Sequence, residues 1–176
     1  MKAQLTIQYL ASFIFFIGLV IYVYFAYSAN IPQFIEEVDK EDVRSKAYQL
    51  SEVLINDPGQ PMNWNSASLG SIKRIGFSDQ NTNKTNLISY DKLDKFKEEF
   101  GDCTALSNFT KVQNRLALSK FFSFYVFNIT DDGERQILAR CVPPVFPKTA
   151  INATVKRITA WNQSGVIKLA EIIVQM

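Results

Sequence analysis

From Ala3 to Ile35 the chain carries no charged residue, and Tyr9 to Ala29 is almost wholly apolar or aromatic. A helix of about 20 such residues spans the hydrocarbon core of a bilayer. This run therefore limits what the rest of the chain can be more than any other feature. Three readings compete. A secretory signal has an apolar region of only about 7–15 residues before a small-x-small site; Ala26-Tyr27-Ser28 offers the site, but the run before it is too long. A core helix of a globular domain is expected to be shorter and less uniformly apolar. A retained membrane span accounts for the length, and the Phe/Tyr stripe within it suits packing against other helices or lipid better than a cofactor site.

Charge sets the orientation. Lys2 alone precedes the run, whereas Glu36, Glu37, Asp39, Glu41 and Asp42 follow it. The bias of basic residues toward the cytoplasm places the N-terminal side inside and the remainder outside. Acceptor sequences for N-glycosylation begin at Asn83, Asn108, Asn128, Asn152 and Asn162, all beyond the run. With 12 Asn and 22 Ser plus Thr in 176 residues, chance supplies about 1.5 such triplets, so five is an excess that suits an external, glycosylated domain.

Beyond the run, Ile35, Val38, Val43, Ala47, Leu50 and Leu54 recur near the helical period, so a helix is expected to continue with one apolar face. Glu36–Lys40 and Asp42–Lys46 are acid-first pairs four residues apart on its other face. Pro32 is expected to kink or restart this helix, and Asp57-Pro58-Gly59 to end it. A short strand is expected at Ile72–Phe77, a helix at Asp91–Phe100 stopped by Gly101, and a partly helical stretch within Cys103–Leu118. Phe121–Ile129 is apolar on both faces and reads as a central strand. Asp131-Asp132-Gly133 marks a turn into a strand at Gln136–Val142. Ala153–Trp161 and Val166–Val174 flank a second turn, Asn162-Gln163-Ser164-Gly165. The expected fold class is α+β: a long hydrophobic and amphipathic N-terminal helix with a small C-terminal antiparallel sheet of about four strands.

Composition removes much of enzymology. There is no histidine, and there are two cysteines, which leaves no Ser-His-Asp or Cys-His catalysis, no His-ligated metal and no four-Cys cluster. A net charge of +2 gives no basic footprint for nucleic acid. No catalytic residue, cofactor or metal site is expected, and the reading is of a protein that is not an enzyme. Asp131 and Asp132 beside Gly133 read as turn residues before they read as cation ligands. Trp64 and Trp161 read as core or sheet-edge anchors. Cys103 and Cys141 are either a disulfide, which an external compartment favours, or two unpaired buried thiols.

The opening Lys2-Ala3-Gln4-Leu5-Thr6-Ile7-Gln8-Tyr9-Leu10, running straight into an apolar helix, resembles the class III signal peptides of archaeal type IV pilin-like proteins. The segments Tyr48–Trp64, Ile72–Asp79, Asn86–Phe96 and Ala153–Val174 are also similar in layout to that group. The resemblance implies cleavage by a prepilin peptidase between Ala3 and Gln4. It divides the chain into a leader over 1–3, a membrane or assembly helix over 4–29, an amphipathic continuation over 30–57 and an extracellular α+β domain over 58–176. The implied partners are that peptidase, membrane lipid and other pilin-like subunits met through the helix. Thr6 stands where the group usually has Ser. Gln8 stands where it has a glutamate thought to pair with a neighbouring subunit's amino group, and glutamine cannot neutralise an ammonium. A minor, priming or non-assembling role is therefore implied alongside that of a filament subunit, with a single-span anchored binding domain as the alternative.

Overall fold

The computed structural model describes residues 2–79, 85–130, 132–145 and 153–176, with the side chains of 2–6 and 33 excepted. The fold is α+β: a long N-terminal helix followed by a small domain built on a mixed sheet. The chain divides into two compact units, Met1–Glu41 and Asp42–Met176.

Helix α1 spans Lys2–Asn56 and contains Pro32 without ending there. The expected restart is absent because one proline removes a single backbone hydrogen bond while its fixed φ remains compatible with helix. Nearby, the Asn30 amide donates to Ala26 O at 2.7 Å, so the one Asn of the apolar segment is satisfied within the helix. The first unit is helical over all its described residues.

The second unit begins at Asp42, not at residue 58, because the last turns of α1 belong to its core. Val43, Ala47, Leu50, Leu54 and Ile55 are buried, whereas Ile35 and Val38, expected to extend the same stripe, are exposed. Two 3-10 turns follow, at Trp64–Ser66 and Leu69–Ser71. Then come β1 (Leu87–Ser89), α2 (Tyr90–Phe100) and α3 (Leu106–Arg115). Strands β2 (Ser123–Ile129), β3 (Arg135–Cys141), β4 (Thr154–Gln163) and β5 (Val166–Gln175) complete the unit.

The sheet has five strands in the order β1-β4-β5-β2-β3. Four of them form the expected antiparallel set, with Phe124 opposite Val174 and Arg157 opposite Ile172. The fifth corrects the expectation of a purely antiparallel sheet: β1 pairs parallel to β4, Ile88 against Trp161. A three-residue strand leaves no alternation to read, and parallel pairing needs the long crossover that the two helices and the β2–β3 hairpin supply. The strand expected at Ile72–Phe77 is likewise replaced. Ile75 and Phe77 are buried as a strand would require, but the segment's backbone is spent on the end of α1 and the loop after it: Phe77 N donates to Leu54 O at 2.9 Å, Lys73 N to Gln60 O at 2.8 Å, and the following Ser78 N to Asp57 O at 3.1 Å. Carbonyls left over at a helix C-terminus thus find their donors there.

Both hairpins stand where the turn residues placed them. Between β4 and β5 the turn is two residues, Ser164 (φ +51°) and Gly165 (φ +87°), the left-handed pair that matches the twist of the flanking strands. The core lies between the inner sheet face and the helices. It is aromatic: Phe96 and Phe124 are 5.4 Å apart, Phe77 and Phe96 5.6 Å, Phe109 and Phe122 5.1 Å between centroids. Both tryptophans are anchors with satisfied indoles, Trp64 donating to Gly76 O at 2.8 Å and Trp161 to Asn128 Oδ1 at 3.1 Å.

Candidate functional site

The feature most in need of a partner is the apolar part of α1. Phe13, Ile14, Phe15, Phe16 and Ile17 are all exposed, Phe15 at 77%. Five consecutive residues sweep more than a full turn at 3.6 residues per turn, so the helix is apolar on every side. A helix with one core-facing stripe looks different; one that is apolar all round lies in a membrane or inside a larger packed assembly. Mean hydropathy reaches 2.2, and this is the one helix among the described residues long and apolar enough to cross a membrane. Gln8 is exposed within α1 beside Ile7 and Tyr9. The Ala3–Gln4 bond falls in the first turn of α1, and the side chains of both residues lie outside those described.

Past this segment the charges are paired along the helix. Glu36 meets Lys40 at 2.7 Å, and Asp42 meets Lys46 at 2.7 Å and Lys120 at 3.3 Å. Hydrogen bonds from Lys46 and then Lys120 hold the Asp42 carboxyl below its ordinary range. Farther along, Glu52 is paired with Arg157, whose guanidinium also lies 5.2 Å from the Tyr48 ring.

Where α1 ends, a polar network fixes the loop. Asp57 accepts from Gly59 N at 2.7 Å and pairs with Arg74 at 2.8 Å. The Lys92 ammonium, on a residue only 5% exposed, donates to Pro58 O at 2.7 Å and Ser78 O at 2.9 Å. Burial pushes its pKa from 10.5 down to about 8, against the attraction of Asp79 and Asp57. The sequence reading passed over this lysine, although its spacing is a signal: Lys92, Phe96 and Phe100 are four apart and lie on the buried side of α2.

Lys92 carries a pH prediction. Below pH 8 the folded and unfolded chains both hold its proton. Between pH 8 and 10.5 the unfolded chain holds a proton that the folded chain has released, so stability rises with pH. From pH 7.5 to 9.5 the wild-type chain should gain about 2 kcal/mol relative to Lys92→Met, read from urea unfolding at the two pH values. Equal gains in the two proteins would show that Lys92 keeps an ordinary pKa.

A second polar residue passed over is Glu171, 8% exposed on the outer sheet face. It stands opposite Ile158 on β4 and Phe127 on β2. Arg135 Nη2 lies 2.9 Å from its Oε2, close enough for ion pairing though outside hydrogen-bond geometry. The period of two places Glu171 on one face with the apolar Leu169 and Ile173, and that parity was the available signal.

Cys103 and Cys141 are bonded, with Cα atoms 4.8 Å apart and both residues fully buried. Two further links lie beside the bond: Arg140 to Asp102 at 2.6 Å, and Val142 N to Asp102 O at 3.0 Å. Closing a loop of this length, 38 residues in sequence, contributes on the order of 3–4 kcal/mol in the chain-entropy account.

The acceptor asparagines fall in different settings. Asn108 is half-buried in α3, its amide donating to Phe100 O at 3.3 Å. Asn128 is buried in β2 and accepts from Trp161. Asn162, half-buried near the end of β4, donates to Asp79 Oδ2 at 2.8 Å and accepts from Gly165 N at 3.0 Å. Asn83, Asn152 and the turn residue Asp131 lie outside the described residues. Among the described residues no group of three or more Cys, Asp or Glu is placed to share a metal ion.

No family model, no curated protein and no solved structure matches this chain. The functional reading therefore rests on the residues themselves.

Proposed function

We propose that the chain is a cell-surface structural protein, a type IV pilin-like subunit whose N-terminal helix lies in the membrane or in the core of a filament and whose α+β unit lies outside and is glycosylated. The observation that carries this reading is the uncharged helix from Ala3 to Ile35 with apolar side chains exposed on every side. At about 25 cal/mol per Å² of apolar surface, such a helix is stable only in lipid or among other helices. The buried disulfide adds support, since such bonds persist in oxidising compartments. No nucleic-acid partner, cofactor or catalytic step belongs to this reading. Gln8 fits a minor or priming subunit at least as well as a self-polymerising one.

The test is the N-terminus of the mature protein taken from the membrane of a host that supplies a prepilin peptidase. Sequencing should begin at Gln4, and Ala3→Trp should leave the precursor uncut. A mature chain that retains Met1 would favour the second reading, a single-span anchored domain that binds a partner without polymerising. A chain beginning near Ala29 would mean a secreted protein and would end both readings.

A further inference from the structure

Resting on that reading of an external second unit, we propose that, of the three acceptor sequences in the described residues, only Asn162-Gln163-Ser164 accepts a glycan on the folded chain, and that Asn128 is a structural residue that is never modified. Transfer to asparagine requires that the amide and the hydroxyl two residues later be presented together to an enzyme. The three sequences answer this requirement differently.

Asn108 and Thr110 lie within α3. Positions two apart on an α-helix are turned about 200° from each other, so the amide and the hydroxyl face opposite ways. The Thr110 hydroxyl is also engaged, donating to Leu106 O at 2.9 Å. Asn128 and Thr130 have the strand spacing that puts i and i+2 on one side, but that side is the inner one. Asn128 is 7% exposed, and its Oδ1 is the acceptor for the buried Trp161 indole. The Thr130 hydroxyl is held in the turn by Glu134, accepting from its N–H at 3.1 Å. A sugar on Asn128 Nδ2 would have to enter the core beside the buried Trp161 indole; making room for it would displace the side chain, and with it the Oδ1 that accepts from that indole.

Asn162 stands at the tip of the β4–β5 hairpin, followed by exposed Gln163, Ser164 and Gly165. Its Oδ1 bond to Gly165 N survives conjugation, because the carbonyl is unchanged. Its amide nitrogen carries two hydrogens and would keep one, so that the Asp79 contact at 2.8 Å exchanges one of two donors rather than losing the nitrogen. In the transfer, an activated glycosyl phosphate of the host is the donor. The bond from Nδ2 to the anomeric carbon forms, one N–H bond and the anomeric C–O bond break, the phosphate leaves with the bonding pair, and the proton passes to solvent.

The experiment is glycopeptide mass spectrometry on full-length protein from a host with N-glycosylation. A second variant, Asp132→Asn with Glu134→Thr, builds an added acceptor in the exposed β2–β3 turn as a monitor of compartment; Thr130 holds residue 134 there through its backbone alone. The expected result is a glycan on the 162 peptide and on the added acceptor, unmodified 108 and 128 peptides, and loss of one glycan mass in Asn162→Gln. Modification of Asn128 or Asn108 would overturn the assignment. So would a bare Asn162 beside a modified added acceptor, while leaving the external reading intact. Absence of sugar from both would overturn the assignment and the external orientation together.

Discussion

A chain that begins at Pro58 will not fold, whereas one that begins at Asp42 will. The second unit opens at Asp42, and the last turns of α1 contribute Val43, Leu50, Leu54 and Ile55 to its core, none more than 5% exposed. Burying each such side chain contributes about 1.5–3 kcal/mol. Four of them together approach the entire stability of an ordinary domain, about 5–15 kcal/mol. Removing α1 also leaves Arg157 without Glu52 and Phe77 N without Leu54 O. The expected result is a cooperative urea transition for residues 42–176 and none for residues 58–176, read by near-ultraviolet circular dichroism. A cooperative transition of equal midpoint in the shorter chain would show that the helix merely leans on a core complete without it.

The second large effect is expected from one methyl group. A Cβ at Gly76 would lie 2.1 Å from Asp57 O and 2.7 Å from its carbonyl carbon. Both are backbone atoms, and the same Asp57 O accepts from Ser78 N, while Gly76 O accepts from the Trp64 indole. The crossing therefore cannot open without disturbing the helix end and the tryptophan together. Gly76→Ala should cost about 3 kcal/mol or more, at the upper end for overpacking, and lower the melting temperature by about 10 °C. Gly70→Ala is the control, since nothing lies within 4 Å of its added carbon, and its midpoint should move little. Similar losses in both variants would locate the sensitivity in backbone freedom rather than in the crossing.

What could be read in the sequence was whatever repeats with a period. The long helix, α2, the two hairpins and the central strand β2 all show in the spacing of apolar residues and in turn dipeptides such as Ser164-Gly165. The contacts that join distant segments did not show. β1 is too short to alternate, and its parallel partner lies some 70 residues away at Ala160–Asn162. Ile72–Phe77 has the residues of a strand, but its donors are taken by Leu54 O of α1 and by Gln60 O and Leu69 O of the loop after it, a choice that local propensity does not record. Nor does propensity say which polar residues end up inside. Lys92 and Glu171 reach buried positions through helical and strand parity, and Asn128, outwardly a modification signal, is committed to Trp161. For the candidate site the balance is reversed: the apolar helix was fully legible, because an uncharged run of this length needs no tertiary information to be recognised.

The strand order bears on how such a chain can be made. In β1-β4-β5-β2-β3 the middle position belongs to β5, the last strand in sequence. Until Val166–Gln175 is available, β2–β3 is an isolated hairpin, and β4 has only the three residues of β1 beside it. Two-stranded pieces of this kind are marginal in water, and the pairings that join them close across long stretches of chain, which makes them late events. A ribosome releasing this polypeptide from its N-terminal side would thus hold an apolar helix early and a sheet that cannot shut until Val166–Gln175 has emerged. The order of the strands keeps the second unit open until its central strand is free to pair.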